Sequence, residues 1–141
     1  MISPVSPRHP DFRYRLILLV SMIVIVPLGY IIRFSHADQG GFGDFFGSVA
    51  YEIFWILLIV FLWPQFSVLK VAIAVCLATC AIEFLQLWTP SWLQAIRATL
   101  PGRLVLGNTF LWSDFPPYFV GSFLGWLGVS YLRNLVRFQR K

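Results

Sequence analysis

Charge is what this sequence has least of. Of its 141 residues, 12% are Asp, Glu, Lys or Arg, against about 25% in an ordinary soluble domain. That is too little to coat a water-soluble fold, and 58% of the chain is hydrophobic. The composition describes an integral membrane protein, and the length fits one domain. Histidine is nearly missing. His9 falls in a predicted tail and His36 in a predicted loop, and no nucleophile–base pairing accompanies them. There is no HExxH, no GxSxG and no phosphate-binding loop. The sequence therefore offers no catalytic residue set, no metal ligand set and no cofactor fingerprint. The glycines of GFGDFFG, 41–47, follow no strand and read as a loop entering a helix. The two cysteines, Cys76 and Cys80, stand four apart on one predicted helix. A disulfide within one helix has poor geometry, so they read as small polarisable packing residues. Internal repeats and low-complexity linkers are also missing.

What the chain does have is apolar length. A transmembrane helix needs about 20 mostly apolar residues, and four stretches qualify: 16–33, 44–63, 67–88 and 114–134. Pro27 should kink the first by freeing the carbonyl of Ile23. Pro64 stops the second, and Thr89-Pro90 stops the third. Ser113 or Asp114 can cap the fourth, whose Pro116 and Pro117 suit a first helical turn. Residues 1–15 carry Arg8, Arg13 and Arg15 ahead of an apolar run, as a signal peptide does. That run is too long for such a leader and no small-x-small site follows it, so it is expected to persist as the first helix.

The basic residues set an orientation. With the N-terminus inside, the inner face holds Arg8, Arg13, Arg15, Lys70, Arg133, Arg137, Arg140 and Lys141, and the outer face holds Arg33, Arg97 and Arg103. The expected arrangement is a bacterial inner-membrane protein with 1–15 and 135–141 as cytoplasmic tails. The net charge of +5 is concentrated beside apolar spans, which suits anionic lipid and not nucleic acid. Trp63, Trp88, Trp92 and Trp112 fall near the predicted interfaces, as an aromatic belt would.

The connection 89–113 is long for a helical bundle. In SWLQ, 91–94, Ser91 reads as an N-cap with Gln94 reaching back. Trp92, Leu93, Ile96 and Leu100 would share one face of a short interfacial helix ended by Pro101-Gly102, with Gln94 and Arg97 pointing elsewhere. The apolar flanks of Gly107-Asn108 in RLVLGNTFLW, 103–112, predict a tight hairpin or a re-entrant loop. The fold class is thus an all-α integral membrane protein of four transmembrane helices, with an interfacial helix and a short hairpin or re-entrant loop between the third and fourth.

The few polar residues then stand out. Asp44 opens the second span and Asp114 the fourth. Glu83 and Gln86 share a face near the outer end of the third, and Arg97 and Arg103 lie in the outer connection. A charge at a helix centre costs about 2.5–3.5 kcal/mol on insertion scales, so Glu83 needs a partner, and Arg97 is the expected one. The alternatives are an interhelical polar clamp, a head-group site built from Asp44, Glu83, Gln86, Arg97 and Asp114, or, without any supporting catalytic motif, a metal-dependent or acid–base enzyme using Asp44, Glu83 and Asp114. Arg103 and Glu52, which is nearer the midplane, form a second tier. Gly121, Gly125 and Gly128 form a small-residue stripe for close helix packing, within the chain or with another copy.

One further reading comes from motif order. An Asp enters the second span, and E-F-x-Q-L, at Glu83, Phe84, Gln86 and Leu87, ends the third. W-L-x-x-x-R-x-T follows at Trp92, Leu93, Arg97 and Thr99, then L-V-L-G at 104–107, then F-x-W-x-D at Phe110, Trp112 and Asp114 before a glycine-rich last helix. Over about residues 14–134 this resembles a family of small bacterial membrane proteins known as the domain-of-unknown-function 2809 family. It is more distantly similar to VanZ-like proteins, which are associated with lipoglycopeptide resistance, although the longer polar loop of those proteins is missing here. The resemblance implies the membrane architecture and no particular activity. The expected function is a non-enzymatic module that binds a lipid or envelope head group through the outer polar cluster. The alternatives are a subunit of a larger membrane complex and a small proton-coupled transporter acting as an oligomer. The expected partners are membrane lipids and another membrane protein or a second copy.

Overall fold

A computed structural model of the protein describes residues 12–34 and 41–138. It is built of helices: α1 (Phe12–Phe34), α2 (Phe42–Leu62), α3 (Val68–Leu85), α4 (Ser91–Ala98), α5 (Leu100–Leu106) and α6 (Phe115–Phe138). A single 3-10 turn, Trp112–Asp114, leads directly into α6. No strand occurs among the described residues.

Three of these helices, α1, α2 and α3, are long and apolar enough to cross a membrane. With 24 residues, α6 is about 36 Å long at 1.5 Å per residue. Its prolines, glycines, serines and tyrosines dilute its apolar character. Helix α2 is the hub, packed against α1, α3 and α6, while α3 also packs on α6. Leu18 of α1, Ile56 and Val60 of α2, Val71 and Val75 of α3 and Val129 of α6 meet in one apolar core. The apolar surface on the outside of the bundle is what hydrocarbon would cover: Ile23 and Ile31, Leu77 and Phe123 are all more than half exposed.

Close helix approach depends on glycine at a few positions. A Cβ on Gly121 would lie 2.6 Å from Glu52 Cβ and 2.9 Å from the Val49 carbonyl oxygen. One on Gly125 would lie 2.6 Å from Ile56 Cδ1. The small-residue stripe thus seats α6 on α2. Gly128 does not belong to that contact, because a Cβ there would meet nothing within 4 Å.

Several boundaries differ from the sequence reading. Helix α1 begins at Phe12, so Arg13 and Arg15 ride on the helix, and α6 runs on to Phe138. Pro27 sits inside α1 without ending it. Helix α3 stops at Leu85 and unwinds through a turn. The expectations for Arg8, His9, His36, Arg140 and Lys141 lie outside the described residues.

At the α2–α3 turn, Arg133 of α6 binds three partners. Its guanidinium donates to the Pro64 carbonyl at 2.9 Å, the Phe66 carbonyl at 3.0 Å and the Tyr14 hydroxyl at 3.2 Å. The same guanidinium lies 5.6 Å from the Tyr14 ring centroid. One side chain thereby ties α1, the α2–α3 turn and α6 together at that end. Arg15 supports the region from α1, 5.9 Å over the Phe61 ring.

Candidate functional site

The opposite end carries the polar cluster, and the expected Glu83–Arg97 ion pair is not there. Glu83 is 1% exposed. Its Oε1 accepts from the backbone N–H of Leu111 at 2.7 Å, and its Oε2 from the Tyr118 hydroxyl at 3.2 Å. Hydrogen bonds to charged groups contribute roughly 1.5–3 kcal/mol each. Both contacts fasten the segment after α5 and the start of α6 onto α3.

Arg97, 3% exposed, turns the other way. It donates to the Leu85 carbonyl at 2.8 Å and to the Trp88 carbonyl at 3.2 Å. The Leu85 carbonyl, at the end of α3, also accepts from the Trp88 N–H at 3.0 Å, and the Trp88 carbonyl lies in the turn beyond the helix; a cation there suits the negative end of the helix dipole. The physical reason for the missing pair is competition. The unwound end of α3 offers Arg97 carbonyls with a lone pair to spare, while the backbone of the folded-back connection offers Glu83 a donor. The Nε of Arg97 is buried with no hydrogen-bond partner. Among the described residues no carboxylate lies within ion-pair distance of Arg97.

Gln86 is buried beside them. Its amide donates to the Leu106 carbonyl at 3.0 Å, and its Oε1 is buried without a partner. Gly107 lies against it with φ 63°, a backbone angle that favours glycine. A Cβ there would collide with the Gln86 side-chain amide. Tyr51 of α2 adds a bond from its hydroxyl to the Val105 carbonyl at 3.2 Å.

The local helices also depart from expectation. Pro90, not Ser91, is the N-cap of α4, with no side-chain cap bond. The SWLQ capping box is therefore not formed. Leu93 and Arg97, four residues apart, face inward, while Trp92 is 56%, Ile96 44% and Leu100 61% exposed. A charged side chain takes the inner face of α4 because the Leu85 and Trp88 carbonyls accept from it there. Thr99, extended at ψ 151°, breaks the helix and caps α5 through its hydroxyl, which accepts from Gly102 N–H at 3.1 Å. Pro101 and Gly102 thus begin α5 and do not end α4. The hairpin expected about Gly107-Asn108 gives way to α5 followed by an irregular segment. Neither Ser113 nor Asp114 stands as a free cap, since the 3-10 turn precedes α6 directly.

Asp44 joins a different contact. It lies 3.6 Å from Arg33 in an exposed ion pair, of the kind that contributes at most about 1 kcal/mol. Asp114 is half-buried. Burial raises its pKa, the nearby Glu83 and Asp44 charges push the same way, and Arg33 opposes them. Arg103 is exposed on α5. Phe84, Phe110, Trp112 and Phe115 gather beside Glu83, with ring centroids 5.0 to 6.1 Å apart. The structure therefore brings Glu83, Gln86 and Arg97 to one end of α3, but as three separate clasps.

Glu52, second-tier by sequence, is the most enclosed acid, at 0% exposure. Ser122 donates to its Oε1 at 2.7 Å and Thr79 at 3.2 Å. Its Oε2 is buried without a partner. Thr79, Ser122 and Tyr118 were missed as site residues. Their spacing carried a clue: Thr79 is one turn from Glu83, and Ser122 is one turn from Tyr118. Among the described residues no three His, Cys, Asp or Glu side chains gather as a metal site needs.

These elements coincide with a known sequence family. The model for a protein of unknown function, DUF2809, matches residues 37–122. The chain belongs to that family. The match takes in α2 through α5 and the first part of α6, and so covers Asp44, Glu52, Glu83, Gln86, Arg97, Arg103, Asp114 and Gly121. It leaves out α1, Gly125 and Gly128. No solved structure matches the chain. The family and the helices together describe an uncharacterised membrane protein.

Proposed function

We propose that the chain is a four-span protein of a bacterial inner membrane, with both termini cytoplasmic, and that it is a non-enzymatic module binding an anionic lipid or envelope head group at its outer end. The observation that carries this reading is Arg97. It is a buried guanidinium with no carboxylate partner among the described residues and with Nε unpaired. A buried cation without a counter-charge is costly, and a phosphate or carboxylate matches a guanidinium fork. Glu83 then holds the cap over the site and does not contact the ligand. The length of α6 and its packing on α2 and α3 support the fourth span, and the distribution of Lys and Arg supports the orientation.

The test is mass spectrometry of protein released from nanodiscs containing phosphatidylglycerol and phosphatidylcholine. The wild type should retain phosphatidylglycerol above its bulk share, and folded Arg97→Gln should lose that excess. Equal retention by the two proteins refutes the reading. A second reading, a subunit of a larger membrane complex, draws on Gly128. That glycine leaves an open notch on α6, where another helix can approach closely. It requires a stoichiometric protein partner after mild extraction, and Gly128→Leu should release that partner.

A further inference from the structure

Three stripes of polar side chains converge on Glu52. On α2, Asp44, Ser48 and Glu52 recur every four residues, and exposure falls from a 65% exposed Asp44 side chain to 8% at Ser48 and 0% at Glu52. Asp114, in the turn that leads into α6, and Tyr118 and Ser122 on α6 recur at the same spacing, the last two 9% and 8% exposed. On α3, Glu83 and Thr79 are 1% and 5% exposed. Residues four apart share a helix face and sit about 6 Å apart along the axis. The stripes therefore form a seam that enters at the end carrying α4 and α5. It passes a Glu83–Tyr118 layer and reaches a Glu52–Thr79–Ser122 layer one turn deeper.

The seam stops there. The next layers are Ile56 and Val60 of α2, Val75 of α3, Val129 of α6 and Leu18 of α1, all in the apolar core. Glu52 is thus open to polar groups on one side and closed by hydrocarbon on the other.

Its surroundings fit a neutral acid better than a carboxylate. Glu52 is the eleventh residue of the 21-residue α2, and its bonding partners are hydroxyls. The facing titratable groups carry no compensating positive charge. They are Cys80 on α3, Tyr51 on its own helix, and Glu83 on α3 with Tyr118 on α6 in the layer above. Helix α1 places Arg13 and Arg15 at its start and Arg33 in its last turn, away from that depth. An unpaired carboxylate in such a place costs far more than its protonated form. Thr79 adds a second sign. Its single hydroxyl proton has three acceptors in reach: Glu52 Oε1 at 3.2 Å, the Val75 carbonyl at 3.1 Å and the Cys76 carbonyl at 3.0 Å. When Thr79 donates to its own helix, its oxygen is free to accept a proton held on Glu52. The unpartnered Oε2 is the second position such a proton can occupy.

We propose that Glu52, with Thr79 and Ser122, forms a reversible proton-binding site inside the bundle, loaded through the polar seam from the α4–α5 end and sealed from the other end by the apolar core. The ligand is a proton, transferred from water in the seam to a Glu52 carboxylate oxygen. This site is one turn deeper than the head-group reading and independent of it.

The test uses the full chain in nanodiscs, with infrared spectroscopy and dicyclohexylcarbodiimide labelling, which is selective for a protonated carboxyl in an apolar setting. The wild type should show a protonated-carboxyl band that is lost in Glu52→Gln. Labelling of Glu52, read by peptide mass spectrometry, should fall about tenfold per pH unit above the site's midpoint. Ser122→Ala keeps Glu52 and should move that midpoint to higher pH, because it removes a donor that favours the charged form; Thr79→Val also keeps Glu52 and should move the midpoint less, because Thr79 can donate to the charged form or accept from the neutral one. These variants keep the test decisive if Glu52→Gln folds poorly. In vesicles with pH set separately on each face, the band should follow the pH on the α4–α5 side. Labelling that ignores pH, or midpoints unmoved in both hydroxyl variants, overturns the proton site. Protection by sodium relative to choline at fixed pH overturns it in favour of a metal cation site. A band that follows the opposite face overturns the route.

Discussion

The backbone N–H of Leu111 donates to Oε1 of Glu83 at 2.7 Å, joining residues 28 apart in the chain. That bond makes a costly carboxylate the anchor of the whole connection between α3 and α6. Replacing Glu83 with Ala removes the acceptor for Leu111 and the partner of Tyr118. The expected loss is about 3–6 kcal/mol, from two bonds to a buried charged group. Glu83→Gln keeps one carbonyl acceptor and should lose about half as much. Hydrogen exchange at the Leu111 amide is the measurement. It should speed up strongly in Glu83→Ala, weakly in Glu83→Gln, and not at all at amides in the centre of α1.

Arg97 and Arg133 act alike at opposite ends of the bundle, each donating to main-chain carbonyls. Arg133→Met should loosen the α2–α3 turn and free Tyr14, at about 0.5–1.5 kcal/mol for each bond lost, because water can reach the freed carbonyls. Exchange should rise at residues 63–67 and stay unchanged in α4 and α5. A uniform rise across the protein would show that the effect is not local.

The three apolar helices were legible in the sequence; the partners of the charged groups were not. Hydropathy adds up along a local run, so 44–63 and 67–88 announced themselves within a few residues of α2 and α3. Glu83 was legible as a group needing a partner. Its donor is a peptide N–H, which every residue but proline has, so nothing in the sequence marks Leu111. Arg97 fooled the reading for the same reason, since the carbonyls it binds at and just past the end of α3 are invisible until the helix is seen to stop at Leu85. Ser122 was missed as a site residue, although it donates to Glu52. The α4 face went wrong because hydrophobic periodicity grouped Trp92 with Leu93, while a buried guanidinium took the inner position.

The glycine stripe divides cleanly by geometry. Gly121→Ala should destabilise, because the added Cβ meets Glu52 Cβ at 2.6 Å and the Val49 carbonyl at 2.9 Å. A Gly121 shift of α6 away from α2 should cost about 1–3 kcal/mol, the usual range for overpacking. Gly128→Ala meets nothing within 4 Å and should stabilise by up to about 1 kcal/mol through helix propensity. Thermal melts of both variants in one detergent check the pair. Similar melting temperatures would mean that α6 does not seat on α2 through Gly121.

Asp114 gives a pH dependence with a definite sign. Burial, then the Glu83 charge, raises its folded pKa above the ordinary 3.8. The contribution of this group to stability is therefore full below the ordinary value and is lost as pH rises through the folded one. Asp114→Asn should flatten that part of the stability–pH curve and leave the variant more stable than the wild type at neutral pH. Melting curves of both proteins across the acidic range measure it. A wild-type curve that rises with pH where the variant is flat would refute the assignment.

The uneven apolar character of the helices has a consequence for how the chain is made. Helices α1, α2 and α3 can each partition into a bilayer as they leave the translocation machinery. Under the four-span reading, α6 emerges last, diluted by Pro116, Pro117 and three glycines, and it brings Ser122 to meet Glu52. Its entry then depends on a template, the groove between α2 and α3 that its predecessors have already laid down. Ribosome-bound chains that end shortly after Phe138 should hold α6 at the membrane surface whenever that groove is spoiled, even though α6 itself is unchanged.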